Sequence, residues 1–189
     1  TFFVNTAGFG ELAGTAYDED NLPFEGVTVS VDNYAIDTTT DVNGDYFFNE
    51  ILGVTQSVTA SMFAYEDNTQ SIDVQSGAVN YLDFNMELKP RVPVTGTVVG
   101  NDDPQHYLEG ALVTLTGYFN FQTSTDENGE FSIPSVYGNE TYTITVEMLG
   151  YETYIDEDVV VTDQALDLGT IEMIELMSIP FAVIGEEDL

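Results

Sequence analysis

Asp41-Val42-Asn43-Gly44-Asp45-Tyr46-Phe47-Phe48 has a second copy in this chain, Asp126-Glu127-Asn128-Gly129-Glu130-Phe131-Ser132-Ile133, which starts at residue 126 instead of 41, 85 positions on. Asn-Gly between two runs of alternating β-formers predicts a tight hairpin, because both central residues of such a turn take positive φ. A motif repeated at a domain-sized interval predicts two equivalent domains, each with one such hairpin.

The composition narrows the class. A domain of about half of 189 residues can bury a sufficient core without staples. There are no cysteines, so neither a disulfide nor a thiolate metal site is available. Hydrophobic content of 43%, with 12 Phe and 11 Tyr, argues for a folded chain in spite of its charge. No apolar run approaches the roughly 20 residues of a membrane-spanning helix. The chain starts at Thr1 rather than Met, which suits a mature or excised product.

The charge is extreme: 34 acidic residues stand against one Lys (Lys89) and one Arg (Arg91), for a net −32. Nucleic acid is excluded as a partner, since phosphate contacts need Lys and Arg. Electrostatic adhesion to an anionic membrane is excluded for the same reason. Two readings of the acidic surface stay open. It solvates an exposed protein, or it makes the fold depend on Ca²⁺ or high salt through screening of self-repulsion. Either suits extracellular water or a cell surface.

Along the chain, residues 1–10 form an apolar, Gly-punctuated lead (Phe2, Phe3, Val4, Phe9) outside both copies of the repeat. The first domain is expected over 11–90. Val27, Val29 and Val31 alternate there onto one face, and Leu82, Phe84, Met86 and Leu88 do the same near its close. Lys89-Pro90-Arg91-Val92-Pro93 is a short, Pro-bearing junction, expected to set the domains end to end with limited freedom. The second domain, 91–175, repeats the order through Glu109 to Leu115, Asn128-Gly129, Gly138, Tyr142 to Val146 and Val159 to Val161. Short strands at regular spacing with turn signals between them predict an all-β fold of two tandem sandwiches, each of about seven strands.

These residues resemble the carboxypeptidase regulatory-like domain, a transthyretin-like, immunoglobulin-like β-sandwich related to the B-type repeats of collagen adhesins. The likeness rests on Gly14 and Gly96, Gly26 and Gly110, Thr40 to Phe48 and Thr125 to Ile133, Gly53 and Gly138, and Tyr65-Glu66 and Tyr151-Glu152. It covers about residues 11–175. It implies the fold, and for function it implies stalks, enzyme appendages or surface-protein spacers. The adhesin repeats often carry a Lys–Asn isopeptide bond. The only Lys here, Lys89, lies at the junction, so a bond within each domain is not expected.

Asp-x-Asn-Gly-Asp also looks like half of a calcium loop, with Asp41, Asn43 and Asp45 as oxygens and Asp18 or Asp20 nearby. The twelfth position, which would need a bidentate Glu, is Leu52 in one copy and Tyr137 in the other, so calcium is not expected. His106, the only histidine, sits on a polar loop and reads as a solvated residue. No catalytic constellation, cofactor site or metal site emerges, and the chain does not read as an enzyme. Asn139-Glu140-Thr141 is the one N-glycosylation sequon, on a predicted turn, which makes Asn139 a glycan candidate.

Residues 176–189 read as the opening strand of a further domain. Ile179-Pro180-Phe181 falls where Val92-Pro93-Val94 would, 87 positions on, and Met177, Ile179, Phe181 and Val183 alternate onto one apolar face. An unpaired strand of that kind is aggregation-prone. The sequence therefore leads to a structural protomer of an extracellular filament, stalk or surface layer. The tail would complete a sandwich in the next copy by strand addition, with Phe2 and Val4 at the same junction. Two alternatives stand beside it: the tail folds back as an edge strand of its own domain, or the chain is a binding or accessory module of a larger secreted enzyme or adhesin. The stretch Tyr118-Phe119-Asn120-Phe121 would then be the binding platform.

Overall fold

Period-two alternation turns directly into buried and exposed faces. Leu12, Gly14 and Ala16 point inward while Glu11, Ala13 and Thr15 point out, and Thr28 to Val31 alternates the same way. The structure is a computed structural model that describes residues 8–102 and 105–176. The chain divides after Lys89 into two compact units.

The first unit contains β1 (Phe9–Tyr17), β2 (Thr28–Val31), β3 (Ile36–Thr39), β4 (Asp45–Leu52), β5 (Thr55–Ser61), β6 (Asn68–Asp73), β7 (Val79–Tyr81) and β8 (Phe84–Asn85). One sheet runs β4-β1-β7, with β8 pairing farther along β1, and the other runs β3-β2-β5-β6. The second unit contains β9 (Arg91–Gly100), β10 (Leu112–Thr116), β11 (Phe121–Ser124), β12 (Glu130–Tyr137), β13 (Glu140–Glu147), β14 (Tyr154–Val161) and β15 (Leu166–Met173). Its sheets run β12-β9-β15 and β11-β10-β13-β14, so the two units share one topology strand for strand. Both are all-β sandwiches, and the final strand lies parallel to the first in each. In the first unit Leu82-Asp83 breaks that final strand into β7 and β8.

Each unit has its own core. Leu12, Val29, Val58, Phe84 and Met86 are sealed in the first, and Val94, Val113, Leu115, Ile144 and Val146 in the second. Each such side chain stabilises its unit by roughly 1.5–3 kcal/mol relative to exposure. The first strand starts at Phe9, with Phe9 opposite Leu52 and Gly10 opposite Ile51. Phe9 and Gly10, assigned to the lead on sequence, therefore belong to β1.

The Asn-Gly motif corrects the sequence reading. It does make a tight turn, but not a hairpin, because β3 and β4 belong to different sheets. Of the central pair only the glycine has positive φ, at 75° for Gly44 and 70° for Gly129. Gly44 N–H donates to the Asp41 carbonyl (2.8 Å) and Asp41 N–H to the Asp45 carbonyl (2.9 Å), a type I turn closed by a left-handed glycine.

What steers the chain across is the threonine before the turn. Thr40 is buried; its hydroxyl donates to the Phe24 carbonyl (2.6 Å) and accepts the Val27 N–H (3.0 Å). Thr125 repeats this, donating to the Leu108 carbonyl and accepting the Ala111 N–H (2.9 Å). The turn also rests on the first strand, through Ala16 N–H to the Gly44 carbonyl and Val98 N–H to the Gly129 carbonyl, both 2.8 Å. A Cβ on Gly44 would lie 2.6 Å from the Ala16 carbonyl oxygen, and one on Gly129 would lie 2.4 Å from that of Val98. Glycine is required there by contact as well as by φ.

Thr40→Val and Thr125→Val keep the shape and remove the hydroxyl, stranding a buried N–H and a carbonyl that is part-buried in the first unit and buried in the second. Each is expected to lower the stability of its own unit by about 1–3 kcal/mol, read by urea unfolding. A loss below about 0.5 kcal/mol would contradict the role given to the hydroxyl.

Candidate functional site

The acidic turns spend their oxygens on backbone. Asp41 Oδ1 accepts the N–H groups of Asn43 (2.8 Å) and Asp45 (3.0 Å), and Asp126 Oδ1 those of Asn128 (2.8 Å) and Glu130 (2.9 Å). The donations from Asp45 and then Asn43 hold the Asp41 carboxyl below its ordinary value of 3.8. Asp18 caps its own loop through Asp20 N–H and Leu22 N–H, and Asp45 Oδ1 accepts the Thr15 hydroxyl at 2.7 Å. Among the described residues no group of three or more His, Asp or Glu is placed to hold a metal ion.

His106 corrects the sequence reading in part. Its ring is exposed, yet Nδ1 lies 2.7 Å from Asp102 Oδ2 and Nε2 lies 3.3 Å from the Tyr151 hydroxyl. Tyr151 in turn donates to Asp102 Oδ2 at 2.9 Å. Partial burial, and then the Asp102 carboxylate, push the Tyr151 phenol up to about 12. The first unit makes a simpler version of this tie, with the Tyr65 hydroxyl donating to Glu19 Oε2 at 3.0 Å. The late Tyr-Glu of each repeat is therefore a hook that fastens the loop after the first strand. That recurrence gives the Asp102–His106–Tyr151 cluster a structural explanation. No sequence pattern joined residues 102 and 106 to 151.

Both cations are committed. Lys89 Nζ lies 3.0 Å from Glu66 Oε2 with its side chain only 8% exposed. The Arg91 guanidinium carbon sits 3.7 Å from the Tyr137 ring centroid, and its Nε donates to Ser135 Oγ at 3.0 Å. Tyr118 and Phe121 pack against the second core and make edge-on or tilted contacts with Tyr137. Of the stretch proposed as a binding platform, Phe119 alone is a large exposed apolar side chain.

Asn139 occupies the exposed turn between β12 and β13 at φ 56°, with Thr141 exposed on β13. The chain-end residues Phe2, Val4, Met177, Ile179, Phe181 and Val183 lie outside the described residues. The last described residues are informative: Leu176 N–H donates to the Gly150 carbonyl (2.8 Å) as Lys89 N–H does to that of Ala64 (2.9 Å). The chain leaves the second unit as it leaves the first.

With this geometry in hand, the comparisons with known proteins are specific about fold. The family model described as the carboxypeptidase regulatory-like domain matches residues 11–87 and again 93–173. None of the curated proteins compared matches the chain. Among solved structures, the chain is similar to GBS52, the minor pilin of the Gram-positive pathogen Streptococcus agalactiae, at 12% identity and a TM-score of 0.59, covering 90% of this chain and 98% of that one. It is also similar to a streptococcal ancillary pilin at 13% identity and a TM-score of 0.57, covering 92% and 64% of the two chains. Against the Bacillus anthracis TIE protein the identity is 20% and the TM-score 0.39, over 89% of this chain and 34% of that one, so this chain spans about a third of its length. At these identities the likeness is one of fold.

The Asp41 cap has a pH signature. Because its folded pKa lies below 3.8, the stability it contributes is fully present above that value and is lost as the pH falls through the folded pKa. Urea unfolding of wild type and Asp41→Ala at about pH 6 and about pH 3 is expected to show a gap that shrinks on acidification. A gap that stays constant or widens would contradict the cap. The metal reading has its own check: chelator is expected to leave the melting temperature unchanged, and a fall restored specifically by Ca²⁺ would reverse the conclusion.

Proposed function

The chain belongs to the carboxypeptidase regulatory-like domain family along both of its repeats, and from that premise we propose that it is a non-catalytic structural protomer of an extracellular filament, stalk or surface layer. The observation that carries this reading is the fold likeness to the two streptococcal pilins, which runs the length of both units. Pilins are parts of surface fibres, and two short, stiffly hydrogen-bonded sandwiches suit that work.

The joint we favour is strand addition at the chain ends, head to tail. Leu176 occupies the place of Lys89 in the hydrogen-bond pattern, and in the first unit the chain goes on from that place into β9. The alternating residues Met177, Ile179, Phe181 and Val183 fit a strand at the same point. Both units hold the same set of strands among the described residues, so an added strand extends an edge and does not fill a gap. That departs from the completion of a sandwich expected on sequence. The β12 edge carries Pro134, which cannot donate to a neighbour, whereas β4 carries no proline. The β6 edge is tied across to the other sheet by Asn68 and Gln70 side-chain amides on the Asn85 and Asp83 carbonyls. The β4 edge of the first unit is thus the better acceptor. Phe2 and Val4 would lie at the same junction, and a heterologous contact of this kind propagates openly. Asn139, on an exposed turn, is where a glycan would be carried, and Ca²⁺ is not part of the reading.

Deletion of residues 176–189 tests the joint. The full chain is expected to polymerise in negative-stain images and the truncated chain to elute as a monomer. Filaments that persist unchanged after truncation would refute tail donation.

A further inference from the structure

The outer face of the β4-β1-β7 sheet differs between the two units at matched positions. In the first unit Ala13 on the central strand lies between Phe47 on β4 and Tyr81 on β7. Phe47 is 47% exposed and Tyr81 is 74% exposed. In the second unit the same three places hold Thr95, Ser132 and Asp167. The sandwich does not need aromatic residues there, since the sister unit folds the same way without them.

Adjacent strands lie about 4.8 Å apart, so the two rings rise from strands about 9.6 Å apart over a small-residue floor. That width accepts one flat group between them. The ends of this slot are acidic. One row along, Thr15 is flanked by two carboxylates, its hydroxyl donating to Asp45 Oδ1 (2.7 Å) and its N–H to Asp83 Oδ1 (2.8 Å). Asp83 reaches this position because β7 and β8 are separated there. On the opposite side Glu11 is paired with Val79.

We propose that this slot binds a guanidinium group, an arginine side chain presented by a partner protein. Two exposed aromatic rings with carboxylates in the rows on either side match a flat, delocalised cation better than a compact ammonium. The surrounding −32 charge draws cations toward it and repels anions. The single Arg of these 189 residues, Arg91, is stacked on Tyr137 and bonded to Ser135, so it is not the arginine that fills the slot. This site gives the first unit a binding role beyond that of a spacer. It does not depend on how copies join.

The test uses the full chain and N-acetyl-arginine amide, titrated at about 0.15 M salt so that diffuse attraction is screened. Amide shifts in the NMR spectrum are expected to concentrate at Ala13, Phe47 and Tyr81. The double variant Phe47→Ser, Tyr81→Asp installs what the second unit carries at these exposed places; an unchanged melting curve will verify its fold. It gains a negative charge, so plain electrostatic attraction would hold the ligand as well or better. The slot instead predicts at least a tenfold loss of affinity, and weaker binding of N-acetyl-lysine amide to wild type. Equal binding by the variant, shifts spread over the acidic surface, or no shift at Phe47 and Tyr81 because a chain end or a second copy covers them would each overturn the proposal.

Discussion

The hydroxyl of the buried Thr40 holds the Phe24 carbonyl and the Val27 N–H together, and that of Thr125 does the same for Leu108 and Ala111. Much follows from this pair of contacts. They fix the start of the second strand of each unit against the end of the third. Asp41 or Asp126 then caps the turn, and Gly44 or Gly129 lays it against the first strand. Three strands from two sheets meet at that corner. A chain with no cysteine has no disulfide to do the same work. Each buried hydrogen bond contributes only about 1 kcal/mol net, but a missing partner costs more, which makes the corner specific as well as stable.

The repeated stretch made the all-β, two-unit architecture legible, and it concealed one thing. Thr-Asp-x-Asn-Gly reports a tight turn because its chemistry is local: an aspartate cap and a glycine with positive φ. Whether the strands on either side pair with each other is decided by distant residues, by Ala16 and Phe24 as much as by Asn43. The hairpin expectation failed for that reason. Phe9 and Gly10 were missed as strand because their partners, Leu52 and Ile51, lie some forty residues away. His106 was read as solvated because Asp102 and Tyr151 meet it only through the fold. The slot on the first unit was half visible from the start. Phe47 and Ser132 occupy matching places in the two quoted copies, but only the sheet register, which sets Tyr81 beside Ala13 in one unit and Asp167 beside Thr95 in the other, shows that Tyr81 and Asp167 also occupy matching places.

Charge shapes what the protein can meet. With 34 acidic side chains and both cations engaged, contacts between copies gain little from ion pairs and suffer repulsion wherever charged faces approach. A joint between copies is best made from uncharged segments, and residues 176–185 at one end and 1–10 at the other contain no charged side chain. The same imbalance favours a cationic partner at the exposed aromatic pair. Cohesion inside each unit rests on burial of side chains such as Phe84 and Leu115 and on the threonine corner.

The claim that each corner holds its own sandwich together can be measured in the unmodified protein by amide hydrogen exchange. The Val27 and Ala111 N–H groups, each bonded to a threonine hydroxyl, are predicted to exchange only through global unfolding of their own unit, as slowly as the central-strand amides of Val29 and Val113. Exchange at Val27 and Ala111 several orders of magnitude faster than at those strands, through local opening of the turn, would contradict the account.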